Sequence, residues 1–216
     1  MTYSNPVFDK ISEEKKNRII NIAIDEFSTN GFSRANINTI AAKAGVSVGS
    51  LYKYFNNKHD MYLYVVSTTV EKIKGILEDI VIDNSDLFET IRKIIRAIQT
   101  YSKVDANATR LYNVMATERN EELVVQLCTQ MEGATADVYA GLIEKFQAQG
   151  KISKDLQPRY FAFFLDNLFM MLQFSYTCEY YKHRLKLYVS EDALENDQVL
   201  EDELMRFITG AFQLKN

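Results

Sequence analysis

Apolar residues recur at spacings of three and four along most of the chain, which predicts helices wherever the pattern is sustained. Ile19, Ile20, Ala23, Ile24 and Phe27 form the stripe of a first helix that starts near Ser12 and ends at Asn30-Gly31, with Glu13 and Glu14 in its first turn, where the helix dipole favours them. Ile37, Ile40, Ala41 and Ala44 share one face of a second helix, capped by Asn36 or Asn38 and ended by Gly45. Ser47 caps a third, short helix. In it Val48, Leu51 and Phe55 face inward, leaving Gly49, Ser50, Tyr52, Lys53 and Tyr54 outside.

The pattern continues after Asn56-Asn57, where Asn57 and Asp60 read as a cap for a long fourth helix that reaches about Ile82. A fifth helix runs from Leu87 to about Val104, capped by Ser85 or Asp86. A shorter one from about Ala106 to Thr117 follows, then a long one from Glu121 to Gln149 that ends at Gly150. Pro158 opens the most apolar helix, which continues to about Leu187, and a last helix from about Val199 to Leu214 closes the chain. Nine helices are expected, and residues 1 to 10 read as a loose tail. With 8 Gly and 2 Pro in 216 residues, turn chemistry for an all-β fold is scarce, so the fold class is all-α.

The helices on either side of Gly45 and Val46 have the spacing of a helix-turn-helix over residues 36–55. A recognition helix needs small side chains where its first turn meets base edges and donors where its flanks meet phosphates, and the outer face of the third helix offers both. Spacing alone fits any pair of amphipathic helices joined by a glycine turn. The identities go further. The segment GFSRANINTIAAKAGVSVGSLYKYFNNKHDMY, with its Ala-Gly-Val-Ser, Gly-x-Leu-Tyr-x-Tyr-Phe and Asn-Lys elements, resembles the N-terminal DNA-binding domain of TetR-type bacterial transcriptional regulators from about Ile19 to Tyr64. Beyond Tyr64 only length and helical character agree.

The resemblance implies a three-helix DNA-binding domain at 1–60, joined by the long fourth helix to a helical ligand-binding and dimerisation domain at 61–216. It implies double-stranded DNA as partner, over a near-palindromic operator, with Ser47, Ser50, Tyr52, Tyr54 and Lys58 as contacts and Arg34, Asn36, Asn38 and Lys53 as further candidates. Val48 stands where many relatives carry a basic residue. It also implies a repressor released by a mostly apolar small molecule, as yet unknown. Pocket candidates are Tyr101, Tyr112, Met115, Tyr139, Phe164, Asn167, Met170, Met171, Phe174 and Cys178, whose adaptable side chains suit such a ligand. The same aromatic and methionine stripes are also what an ordinary core requires.

Charge is uneven. The formal net charge is −4, yet residues 1–60 carry 8 Lys or Arg against 6 Asp or Glu, leaving 17 against 23 for the rest. DNA contact therefore has to come from a local patch. The helix from Pro158 is apolar on most sides, with Arg159, Asp166, Gln173, Thr177 and Arg184 in one narrow arc, so one side is left for a partner subunit. A homodimer through the last two helices is expected, which is also the family's arrangement. The N-terminus has no apolar signal core, and the apolar run Phe161 to Phe174 is too short to span a bilayer, which predicts a cytoplasmic protein without a membrane partner. Cys128 and Cys178 read as buried free thiols.

With two histidines and no glycine-rich phosphate loop, neither an enzyme nor a cofactor is expected, and the pair Glu179 and His183 lacks a third ligand for a metal. The alternative function is an all-helical small-molecule-binding or interaction protein whose helix-turn-helix no longer binds DNA.

Overall fold

The computed structural model describes residues 3–82 and 86–211. Its regular elements are all helices: α1 (Pro6–Asp9), α2 (Glu13–Arg34), α3 (Ile37–Ala44), α4 (Val48–Tyr54), α5 (Lys58–Ile82), α6 (Leu87–Val104), α7 (Ala106–Met115), α8 (Glu121–Ala148), α9 (Pro158–Thr177), α10 (Glu179–Tyr188) and α11 (Asp197–Ala211). Ser85 as a cap and the end of the last helix at Leu214 lie outside the described residues. The caps form as their side chains require. Ser12, Asn36, Ser47 and Asp86 each accept a backbone N–H of the first turn that no helical carbonyl can reach.

The chain divides into two compact units, Met1–Glu71 with Arg110–Gln130 and Lys72–Thr109 with Met131–Asn216. In the first, α2, α3 and α4 enclose Ile19, Ala23, Phe27, Ile40, Ala44 and Leu51, all buried. Gly45 ends α3 at φ 65°, with the Val46 N–H donating to Ala41 O at 3.0 Å. Only a residue without a Cβ takes that conformation cheaply.

Two expectations change here. The helix from Ser12 does not stop at Asn30-Gly31: Gly31 makes a kink at φ 70° and one more turn follows to Arg34. The buried Glu26 carboxylate holds that turn, accepting from Asn30 Nδ2 at 3.0 Å and from the Asn36 N–H at 3.1 Å, and so joins the end of α2 to the start of α3. The first ten residues are not a loose tail either. Asn5 donates from its backbone N–H to Tyr54 O at 2.8 Å and from its side chain to Lys53 O at 3.2 Å. Phe8 of α1 is 0% exposed, with its ring 4.9–5.4 Å from those of Tyr54, Phe55 and Tyr64.

In the second unit α6 packs on α9 and α11 around Leu77, Ile91, Ile94, Tyr139, Phe146, Leu165 and Phe169. Glu201 of α11 is 2% exposed and accepts from Arg92 and Arg96 of α6. Burial alone would raise its pKa, but the two guanidinium bonds outweigh it and hold the carboxyl below its usual range. The helix expected from Pro158 to Leu187 breaks at Cys178, whose backbone is extended (φ −102°, ψ 119°). Just before the break, Ser175 and Thr177 donate their hydroxyls to Met171 O and Gln173 O, back-bonding that bends helices. Apolar spacing carries no trace of it. The two cysteines are free as expected, but Cys128 is exposed and Cys178 half-buried. No helix among the described residues is long and apolar enough to cross a membrane.

Phe8→Ala should destabilise the first unit by about 3–5 kcal/mol in chemical denaturation, the usual loss for a buried phenylalanine. A chain whose first ten residues are loose would show no change.

Candidate nucleic-acid interface

The outer face of α4 is built from a short sequence under tight local control. Ser47 Oγ accepts the Ser50 N–H at 3.0 Å and lies 2.8 Å from Ser50 Oγ, so the two hydroxyls are mutually oriented at the helix start. Gly49 is exposed and brings no side chain to that turn, while Tyr52 is 51% exposed and Lys53 is exposed beside it. Small groups thus come first and a hydrogen-bonding aromatic and a cation after, an order suited to base edges followed by phosphates. At the start of α3, Asn38 is exposed, and Asn36 Oδ1 is occupied in accepting the Asn38 N–H at 2.9 Å. Arg34 is exposed, its Nε donating to Asn30 O at 3.3 Å.

Two expected contacts are placed differently. Tyr54 is 6% exposed, turned into the ring cluster with Phe8 and overlain by Lys15 Nζ at 5.8 Å, because α1 brings Phe8 against the end of α4. Lys58 is not a free cation at a helix start. Its Nζ donates to Ser33 O at 3.1 Å and Ala35 O at 3.2 Å and sits 4.8 Å from the centroid of the Phe32 ring, so it caps the last carbonyls of α2. Sequence reasoning passed over Lys43, exposed in the last turn of α3, whose Nζ lies 3.4 Å from Asp25 Oδ2 in a half-exposed pair. A basic residue in that turn was the available signal.

The pocket candidates do not fall in one unit. Tyr112 and Met115 lie in the first, the other eight in the second. Phe164 is 51% exposed and Met171 is also exposed, so both stand on the outer side of α9 rather than in an enclosed pocket; Asn167 Nδ2 donates to Phe163 O at 2.7 Å. Tyr139 and Phe174 are buried, with the Tyr139 ring 5.7 Å from Phe169. Asp166, half-buried on α9, has its carboxyl pushed up to about 7, first by burial and then by the nearby negative charge of Glu132.

An all-helical chain that presents a short, capped, outward-facing helix after a tight glycine turn is a helix-turn-helix protein of the nucleic-acid-binding type. Residues 19–65 match the family described as bacterial regulatory proteins, tetR family. It is 25% identical to the HTH-type transcriptional regulator YdgC of Bacillus subtilis (strain 168), over 55% of this chain and 65% of that protein's own length. Over most of its length it shares the fold of FadR from Bacillus subtilis, solved in complex with stearoyl-CoA: TM-score 0.69, 18% identity, 84% of this chain and 96% of that one. It likewise shares the fold of SmeT, the repressor of a Stenotrophomonas maltophilia multidrug efflux pump, solved with triclosan: TM-score 0.69, 17% identity, 94% and 93%.

Asp166 sets a pH dependence whose sign is fixed by its raised pKa. The folded state holds this proton up to pH of about 7, whereas the unfolded chain releases it near the usual carboxyl value, so stability falls as pH rises between the two. Asp166→Asn should therefore stabilise the protein at pH 8, by on the order of 1–3 kcal/mol, with the gain fading as pH falls through 7. Melting curves from pH 5 to 8 that run parallel for the two proteins would contradict the assignment.

Proposed function

We propose that the chain is a dimeric, sequence-specific transcriptional regulator of the cytoplasm, a repressor that leaves its operator when a small, mostly apolar effector binds the C-terminal unit. The outward face of α4 carries this reading. Ser47, Ser50, Tyr52 and Lys53 are the contacts it favours, with Arg34, Asn36 and Asn38 beside them. Tyr54 and Lys58 serve the fold of the domain.

Pairing is supported by the second unit, where Tyr160 and Phe163 of α9 and Val199 and Phe207 of α11 are large, apolar and exposed. Patches of that kind mark interfaces. Two-fold pairing through α9 and α11 would set two recognition helices about 34 to 36 Å apart, or a small multiple, over a near-palindromic site. Two proteins of the same fold were solved with stearoyl-CoA and with triclosan, which supports a carbon-rich effector here. A second reading, a binding protein whose helix-turn-helix no longer meets DNA, draws on the fact that Tyr54 and Lys58 are both engaged within the domain.

Selection of bound duplexes from a random pool at two salt concentrations separates the readings. A two-fold symmetric motif, with affinity falling steeply as salt rises, is the expected outcome, since phosphate contacts release counterions. No enrichment at either salt would leave the second reading standing. On the selected duplex Lys53→Ala should flatten the salt slope by about one unit. Lys58→Ala should leave that slope unchanged and lower the melting temperature instead, and the reverse pattern would return Lys58 to the phosphates.

A further inference from the structure

A helix laid in a major groove meets four kinds of base edge, and the composition of its face limits which of them it reads. Guanine is met by a bidentate arginine or lysine, adenine by asparagine or glutamine, cytosine by a carboxylate, and thymine by an apolar group against its C5 methyl. The outer face of α4 carries Ser47, Gly49, Ser50, Tyr52 and Lys53, with Val48 half-buried at its edge. From Ser47 to Tyr54 there is no arginine, amide or carboxylate side chain. The two hydroxyls are engaged with each other at 2.8 Å, and Ser47 Oγ also accepts the Ser50 N–H. Lys53 comes a full turn after Gly49, on the flank that phosphates meet. What remains for a base edge is carbon, the methyl groups of Val48.

Gly49 decides where an opposing group can lie. Gly31 and Gly45 have φ of 70° and 65°, which favours glycine, but Gly49 is not in that region. A Cβ at Gly49 would meet nothing nearer than Ser47 Oγ at 3.9 Å, an ordinary contact, so the fold leaves room there for a side chain. That room is a notch in the exposed face, with Val48 beside it in the chain and Tyr52 one turn further along. A space the size of one methyl group, next to a branched apolar side chain, is complementary to a methyl group on the opposing surface.

We propose that the α4 face reads a thymine: its C5 methyl enters the notch at Gly49 and packs on Val48, so these two residues determine one T·A pair in each half-site. The inference deepens the regulator reading and rests on it, since the duplex has to lie against α4.

The test takes the duplex selected from the random pool and replaces each thymine in turn by deoxyuridine, which lacks only the C5 methyl. One position in each half-site should lose about fourfold in affinity, the value of one buried methyl group. At that position 5-methylcytosine should exceed cytosine by a similar factor. In Val48→Ala the difference between thymine and uridine should all but vanish. Gly49→Ala should weaken the thymine duplex about tenfold or more and the uridine duplex less, because its Cβ occupies the space of the methyl. The same variant should melt about 2–4 °C higher, as expected when alanine replaces glycine at an ordinary helical φ.

A selected duplex that binds equally well with uridine at every position would overturn the inference and leave the regulator standing. A methyl effect unchanged in both variants would assign it to another residue, and a Gly49→Ala protein that melts lower would return the glycine to the fold; each of these also overturns it. A pool that yields no duplex removes the regulator and this inference together.

Discussion

The N-terminal unit depends on the cluster of rings formed by Phe8, Tyr54, Phe55 and Tyr64. α4 is seven residues long, too short to persist alone in water, because helix nucleation costs more than two turns return. It survives because its last turn is buried against Phe8 and its first turn is capped by Ser47. The outer face, Ser50, Tyr52 and Lys53, is therefore held in place by an inner face that includes a tyrosine. Asn5 completes the arrangement by donating to the carbonyls of Lys53 and Tyr54, which a helix end leaves without partners. A segment outside the helix-turn-helix thus supplies part of what makes the recognition helix rigid.

A second set of polar contacts fixes where helices begin and end. Glu26, Lys58 and Ser47 each meet backbone groups at a helix terminus. Glu201 plays the corresponding part in the other unit, where burying a carboxylate is tolerable because two arginines of α6 share it.

How much of this was legible in the sequence differs from element to element. The all-helical class, the turn at Gly45, the caps at Ser12, Asn36, Ser47 and Asp86, and the exposed Ser-x-Gly-Ser-x-Tyr-Lys face are local matters. They follow from periodicity, from the φ that only glycine takes cheaply, and from side chains that bond within three residues of themselves. The packed length of α1, the inward turn of Tyr54 and the capture of Lys58 were not legible, because each is decided by a partner 23 to 48 residues away in the chain. The break at Cys178 escaped for the opposite reason. Hydroxyls bond back to their own helix just before it, while the apolar spacing continues across it.

The sequence by itself determined which segments are helical, where the helix-turn-helix lies and which residues its third helix turns outward over most of its length, since these rest on spacing and backbone chemistry within a few residues. Only the tertiary structure decided which aromatic groups are core and which face water. Tyr52 and Tyr54, Phe163 and Phe169 have the same chemistry, and what separates them is the direction in which a neighbouring element approaches.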